Sequence, residues 1–190
     1  MFNSKVFKAL EFAAVAHVNQ SRKFNGHPYI VHPIDVVSKL NDLLQEDVVS
    51  LPTSLKTDML CAAALHDVIE DTSYSYNDIT SQFGDRVAYI VESLTNTSKS
   101  IEGLDRAGRK AYDKESMMGK PIEVQMIKYC DIMSNTKDIL VESPDFAKKY
   151  LAEKLDYMSS LSNLPDELQV RLAVHLTIKM EAVNNAIQNS

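Results

Sequence analysis

Apolar positions along the chain recur at helical spacing, and no stretch sustains the two-residue alternation of a half-buried strand. Residues 4–20 carry Val6, Leu10, Phe12, Ala13, Ala16 and Val18, the apolar side of a first helix. "NGHPYIVHP" interrupts the pattern with Gly26, Pro28 and Pro33, and a second helix follows through "IDVVSKLNDLL". Residues 46–56 form a connection around Pro52, and the next helix is expected from Thr57 to Glu70. Ser75 and Asp78 have the spacing of a capping box for a short helix that reaches Phe83 and stops at Gly84. "DRVAYIVESLT" sets Val87, Ile90, Val91 and Leu94 on one side of another helix. Residues 96–120 are the most polar stretch and read as a mobile connection. Pro121 suits the start of a helix through "PIEVQMIKYCDIMSNTKDIL", and two more helices, near 146–161 and 165–188, complete the pattern. The expected class is all-α. With no repeat, low-complexity tract or linker, a single domain over residues 1–190 is expected.

Composition narrows the function. Apolar residues at 45 %, with only 5 Gly and 6 Pro, suit a compact helical protein. A net charge of −6 gives no reason to expect nucleic acid or a membrane surface as partner. An anionic ligand must therefore meet a local basic cluster or a metal. No apolar run has the length to span a bilayer, and Lys5, Lys8, Glu11 and His17 make the N-terminal stretch an amphipathic helix rather than a signal peptide. Cys61 and Cys130 give no disulfide framework, which favours a reducing cytoplasm, and their apolar contexts read as small buried side chains. The pattern specifies no oligomeric state.

Chemistry concentrates in "LCAAALHDVIEDT", residues 60–72. On a continuous helix His66 lies one turn below Glu70, and Asp67 one turn below Asp71. Leu65, Val68 and Ile69 fill the neighbouring faces, so these ionisable groups are held near a core, where desolvation is costly without compensation. A divalent metal would compensate; a charged helix end in water is the plainer alternative. His32 follows a Gly/Pro turn that can aim an imidazole inward, and Asp131 interrupts the apolar set Met126, Ile127, Cys130 and Met133. Together His32, His66, Asp67 and Asp131 make a mixed nitrogen and oxygen set suited to Mn²⁺, Fe²⁺ or Zn²⁺, with positions left for water and substrate.

"FAAVAHVNQSRKFNGHPYIVHPIDVV", "AAALHDVIEDT", "QFGDRVAYIVESLT" and "KYCDIMSNTKDI", in that order over roughly residues 8–140, resemble the HD-domain phosphohydrolases. More narrowly they resemble the hydrolase domain of RelA/SpoT-type enzymes and the stand-alone small alarmone hydrolases. The resemblance implies an HD-domain helical bundle with His32, His66, Asp67 and Asp131 as ligands of Mn²⁺. It implies that Glu70 and Asp71 position or deprotonate the attacking water, that Arg22 and Lys23 contact the nucleotide or its phosphates, and that Asn135 contacts the ribose. The implied reaction removes the 3′-pyrophosphate of a small-molecule nucleotide, (p)ppGpp, in the cytoplasm, with no synthetase or regulatory segment attached.

The chain departs from the family at Ile132, where a basic residue is usual, and in the long connection between residues 43 and 57. Tyr150 and Lys154 replace an arginine-and-aromatic pair. These departures leave open another nucleotide, such as the phosphate of NADPH, or a non-catalytic nucleotide sensor. Retention of both Glu70 and Asp71 argues against the sensor. Lys99, Arg106, Arg109 and Lys110 read either as a segment that closes over phosphates or as a solvated loop. His17 is expected to pack or hydrogen-bond beside the site, His27 to be exposed, and His175 to have no function.

Overall fold

The computed structural model describes residues 4–23, 26–137, 139 and 143–188. Among them the α-helices are α1 (Ser4–Ala16), α2 (Val31–Gln45), α3 (Thr53–Leu65), α4 (Val68–Asp71), α5 (Tyr76–Phe83), α6 (Asp85–Leu94), α7 (Arg106–Met117), α8 (Ile122–Asn135), α9 (Pro144–Tyr157) and α10 (Asp166–Gln188). Two 3₁₀ turns, Ser98–Ser100 and Met158–Ser160, accompany them. The one β feature among the described residues is an isolated bridge between Ser21 and Pro28. No described helix is long and apolar enough to cross a membrane.

α3 is the central helix. Met59, Cys61, Ala62, Ala63, Ala64 and Leu65 are all buried, so the C-terminal half of this helix is apolar on every side, and the helix is covered by α1, α2, α6 and α8. Its alanines let those helices approach closely. α8 is the second buried element and packs on α2, α3, α6 and α10, carrying Asp131 into the interior among Val124, Met126, Ile127, Cys130 and Ile132. α9 and α10 pack on each other and close the molecule through Leu151, Leu168, Leu172 and Leu176. His175 ties α10 to the end of α8 by a 2.8 Å bond to Thr136 Oγ1.

Several elements differ from expectation, each for a local reason. α1 ends at Ala16, and residues 17–20 turn, with Gln20 N donating to His17 O at 2.9 Å. α2 starts at Val31, so Pro33 lies in its first turn, where no intrahelical donor is needed. α3 starts at Thr53, directly after Pro52. The expected helix through Glu70 instead breaks at His66 and Asp67; Asp67 has φ −101° and ψ −3°, outside regular helix, and α4 restarts behind it. Residues 96–120 are more than a connection: they contain a 3₁₀ turn and α7, which Asp105 caps by accepting from Gly108 N at 2.7 Å. α8 stops at Asn135, and Asp138 and Leu140 of the expected continuation lie outside the described residues. The capping box forms as read, with Ser75 N donating to Asp78 Oδ2 at 2.7 Å and Gly84 taking φ 92° at the stop.

Candidate active site

The helices bring His32, His66, Asp67 and Asp131 to one point, from the first turn of α2, the break after α3 and the last turn of α8. His32 Nε2 lies 3.2 Å from His66 Nε2, 3.6 Å from Asp67 Oδ2 and 3.2 Å from Asp131 Oδ1. His66 Nε2 lies 2.9 Å from Asp67 Oδ2 and 3.8 Å from Asp131 Oδ1. Neighbouring ligands held about 2.1 Å from a common centre stand roughly 3.0–3.5 Å apart; His32, His66 and Asp67 form a group that could hold a metal ion, their donor atoms within 4.8 Å of one another, and Asp131 Oδ1 approaches it from the His32 side.

The protons agree with the distances. His66 Nδ1 lies 2.8 Å from Ala63 O, which can only accept, so Nδ1 carries a hydrogen and Nε2 is the nitrogen turned to the carboxylates, open to a proton or a cation. His32 Nδ1 lies 3.0 Å from Ser134 Oγ, and Asp35 on the far side of that hydroxyl is an acceptor, so Ser134 is free to accept from His32. The two Nε2 atoms, 3.2 Å apart and closed in by two carboxylates, require positive charge between them, either a proton or a bound cation. Burial opposes charge on His66, yet Asp67 and Asp131 outweigh it and push its pKa up to about 9, so with no cation between them the carboxylates favour a proton on His66. Both carboxylates stay ionised despite burial: His66 holds Asp67 below the usual range, and Lys128 does the same for Asp131. A divalent metal that displaced the His66 proton would meet two imidazole nitrogens and two carboxylates, a donor set suited to it in charge and type.

Each donor has a support. Tyr29 donates to Asp67 Oδ2 at 2.6 Å, and burial beside Asp67 keeps its phenol protonated. Lys128 donates to Asp131 Oδ2 at 2.8 Å, and Asn135 Nδ2 to Asp131 Oδ1 at 2.5 Å. Arg22 in turn donates to Asn135 Oδ1 at 3.0 Å. The turn that places Arg22 is closed by Arg22 N to His27 O at 2.8 Å and by Gly26 at φ 69°. Lys23 is separated from this chain of contacts: its ammonium lies 5.3 Å from the centroid of the Phe146 ring on α9.

Glu70 and Asp71 sit on α4 in unlike surroundings. Glu70 Oε2 accepts from Asn96 N and Nδ2, both at 2.9 Å, and Oε1 accepts from Lys99 at 2.8 Å. Asp71 has Lys99 at 3.8 Å, while burial and the charges of Asp67 and Glu70 raise its pKa above the ordinary carboxylate value.

A family profile described as an HD domain matches residues 9–177. The chain belongs to the HD-domain family. It is 31 % identical over 160 residues to the guanosine-3′,5′-bis(diphosphate) 3′-pyrophosphohydrolase of Aquifex aeolicus, covering 84 % of this chain and 21 % of that protein. It is 32 % identical over 163 residues to the bifunctional (p)ppGpp synthase/hydrolase SpoT of Escherichia coli, covering 84 % and 20 %. The chain thus spans about a fifth of the length of these curated relatives. A solved structure of a metazoan ortholog of SpoT that hydrolyzes ppGpp superposes with a TM-score of 0.74 over 98 % of this chain and 97 % of its own, at 23 % identity, which shows a shared fold.

Around the HD centre the remaining expectations divide. Cys61 and Cys130 are buried and free, with burial raising both thiols. His17 is buried against the Tyr29 ring with Nδ1 2.8 Å from Gln20 Oε1, and His27 is exposed. Lys99, Arg106, Arg109 and Lys110 all line a cavity of about 200 Å³ with Glu70 and Asn96, with Arg106 held by Glu153 at 2.9 Å and Arg109 by Leu104 O at 2.7 Å. Tyr29, Lys128 and Ser134 were not singled out from sequence. Lys128, three residues before Asp131, carried a readable i, i+3 signal; the other two depend on contacts between helices.

Proposed function

We propose that this chain is a metal-dependent phosphohydrolase that converts (p)ppGpp to GDP or GTP and pyrophosphate, with residues 1–190 as a single HD domain. The observation that carries the reading is the convergence of two imidazole Nε2 atoms and two carboxylate oxygens beside Asp71, a carboxyl with raised proton affinity. The substrate is taken from what the Aquifex aeolicus and Escherichia coli relatives are named for.

His32, His66, Asp67 and Asp131 would hold the cation, and Mn²⁺ suits their mixed nitrogen and oxygen set. When bound it would polarise the phosphoryl oxygens and acidify a water. The water oxygen joins the phosphorus on the ribose 3′-oxygen, the bond to that oxygen breaks, and pyrophosphate departs. Asp71 takes the proton of the water, and the 3′-oxygen gains one. Glu70 fixes Asn96 and Lys99 at the mouth of the site. Arg22 offers a planar fork to phosphate and Asn135 reaches the ribose. Lys23 and the stacked Phe146 and Tyr150, whose centroids are 5.9 Å apart, form a face for the base. The buried, unpaired cysteines favour the cytoplasm.

The test is purified protein with Mn²⁺ against a panel of nucleotides, with pyrophosphate and orthophosphate measured separately. Pyrophosphate from (p)ppGpp is expected. Orthophosphate from NADPH would transfer the site to another nucleotide, and binding without release would make the chain a sensor.

A further inference from the structure

The two imidazoles of the donor set are steadied by unlike partners. His66 Nδ1 faces a main-chain carbonyl, Ala63 O, which α3 itself fixes. His32 Nδ1 faces a side chain, the Ser134 hydroxyl, at 3.0 Å and 102 residues further along the chain. Ser134 lies three residues after Asp131 on α8, and Asp35 lies three residues after His32 on α2, so each pair shares one helix face. The packing of α2 on α8 interleaves the two pairs. Asp131 Oδ1 meets His32 Nε2 at 3.2 Å, and the Ser134 hydroxyl lies between His32 Nδ1 and the Asp35 carboxyl. Both His32 and Ser134 are buried.

Asp35 is only half satisfied. Lys39 and Lys137 lie 3.7 and 3.5 Å from its Oδ1. Its Oδ2 is buried, with no hydrogen-bond partner among the described residues. Burial opposes charge on Asp35, yet the Ser134 hydroxyl and the two lysines outweigh it and keep the carboxyl below its usual range. An ionised carboxylate can only accept, so on this side the hydroxyl is the donor. Its oxygen keeps lone pairs for an imidazole N–H on the other side. A buried acceptor without a bond is costly, and a turn of the Ser134 hydroxyl toward Oδ2 relieves it. A neutral His32 presents the Nε2 lone pair only when its ring hydrogen sits on Nδ1, and that hydrogen then needs a buried acceptor.

We propose that Ser134 and Asp35 are positioning residues for the metal: Ser134 accepts from His32 Nδ1 and donates to Asp35 Oδ2, which keeps His32 Nε2 turned to the cation. The proposal rests on the metal-centre reading above. Lys39 and Lys137 balance the Asp35 charge, so Asp35 acts on His32 through the hydroxyl and not as a third negative charge at the centre.

The experiment is calorimetric titration of Mn²⁺ into metal-free wild type, Ser134→Ala, Ser134→Thr, Asp35→Asn and the Ser134→Ala/Asp35→Asn double variant. Ser134→Ala should weaken Mn²⁺ about ten- to a hundredfold, the usual cost of losing such a support, and Ser134→Thr should keep most of the affinity. Asp35→Asn retains an acceptor and should lose less. In the Ser134→Ala background it should lose nothing further, because its path to His32 is already cut. A nitrogen-15 NMR spectrum of the chain loaded with diamagnetic Zn²⁺ should show the His32 hydrogen on Nδ1, exchanging slowly with water in wild type and faster in Ser134→Ala. A merely structural Ser134 would lower the melting midpoint of the metal-free chain and leave the cation affinity of the folded chain alone. Wild-type Mn²⁺ affinity in Ser134→Ala, or an Asp35→Asn loss that persists in full beside Ser134→Ala, overturns the proposal and leaves the metal centre standing. A wild-type chain that takes up neither cation overturns both.

Discussion

Glu70 and Asp71 are adjacent on α4, but three donors hold Glu70 while Asp71 keeps free acceptor capacity and a raised pKa. Asp71→Asn should therefore keep bound metal and lose turnover by roughly 10²–10⁴, the usual share of a general base. Glu70→Gln should also keep metal, but it releases Lys99 and Asn96, so its loss should fall more on substrate affinity than on the rate at saturation. Steady-state kinetics with metal analysis separates the two; a near-normal Asp71→Asn rate would assign the proton elsewhere. At this scale the donors were legible, because a histidine or aspartate inside an apolar pattern is conspicuous. The equivalence of Glu70 and Asp71 was not corrected by spacing, since Asn96 and Lys99 reach Glu70 from a different part of the chain.

At the scale of elements, apolar periodicity located the helices but not the two interruptions that serve the site. A continuous helix through Glu70 would put His66 and Asp67 on different faces; the break lets Asp67 Oδ2 stand 2.9 Å from His66 Nε2. Nothing in "LCAAALHDVIEDT" signals a break, because every residue in it tolerates helix and the cause is the tertiary set of donors. The turn that carries Arg22 was legible from Gly26 and Pro28, but its consequence was not: Arg22 meets Asn135, and Asn135 meets Asp131. Arg22→Ala should weaken a non-hydrolysable nucleotide about ten- to a hundredfold without loss of metal. Asn135→Ala should weaken both nucleotide and metal, because it removes a donor from Asp131. Calorimetric titration of nucleotide and of Mn²⁺ into each variant checks this, and full affinity in Arg22→Ala would remove that residue from the site.

Across the whole molecule, the donors join α2, the end of α3 and α8, helices that pack directly on one another at the centre of the core. A cation bound by all three can exist only in the folded chain, so its binding energy adds to stability. At a free Mn²⁺ concentration of about 100 times the dissociation constant the gain is about 2.7 kcal/mol. For a chain of 190 residues, 1 kcal/mol moves the melting midpoint by about 2–4 °C, so chelation should lower it by roughly 5–11 °C. Asp67→Ala supplies the control. It leaves the packing of Leu65 and Val68 intact, and it removes one donor and one negative charge from the point where the cation sits. Its helix content should match wild type, and its midpoint should no longer respond to Mn²⁺ or to chelator. A midpoint in wild type that ignores Mn²⁺, or the same shift in Asp67→Ala, would show that the four side chains do not act together as a metal site. The bundle would then owe its stability to the apolar core alone, and two buried carboxylates beside two imidazoles would need another source of positive charge.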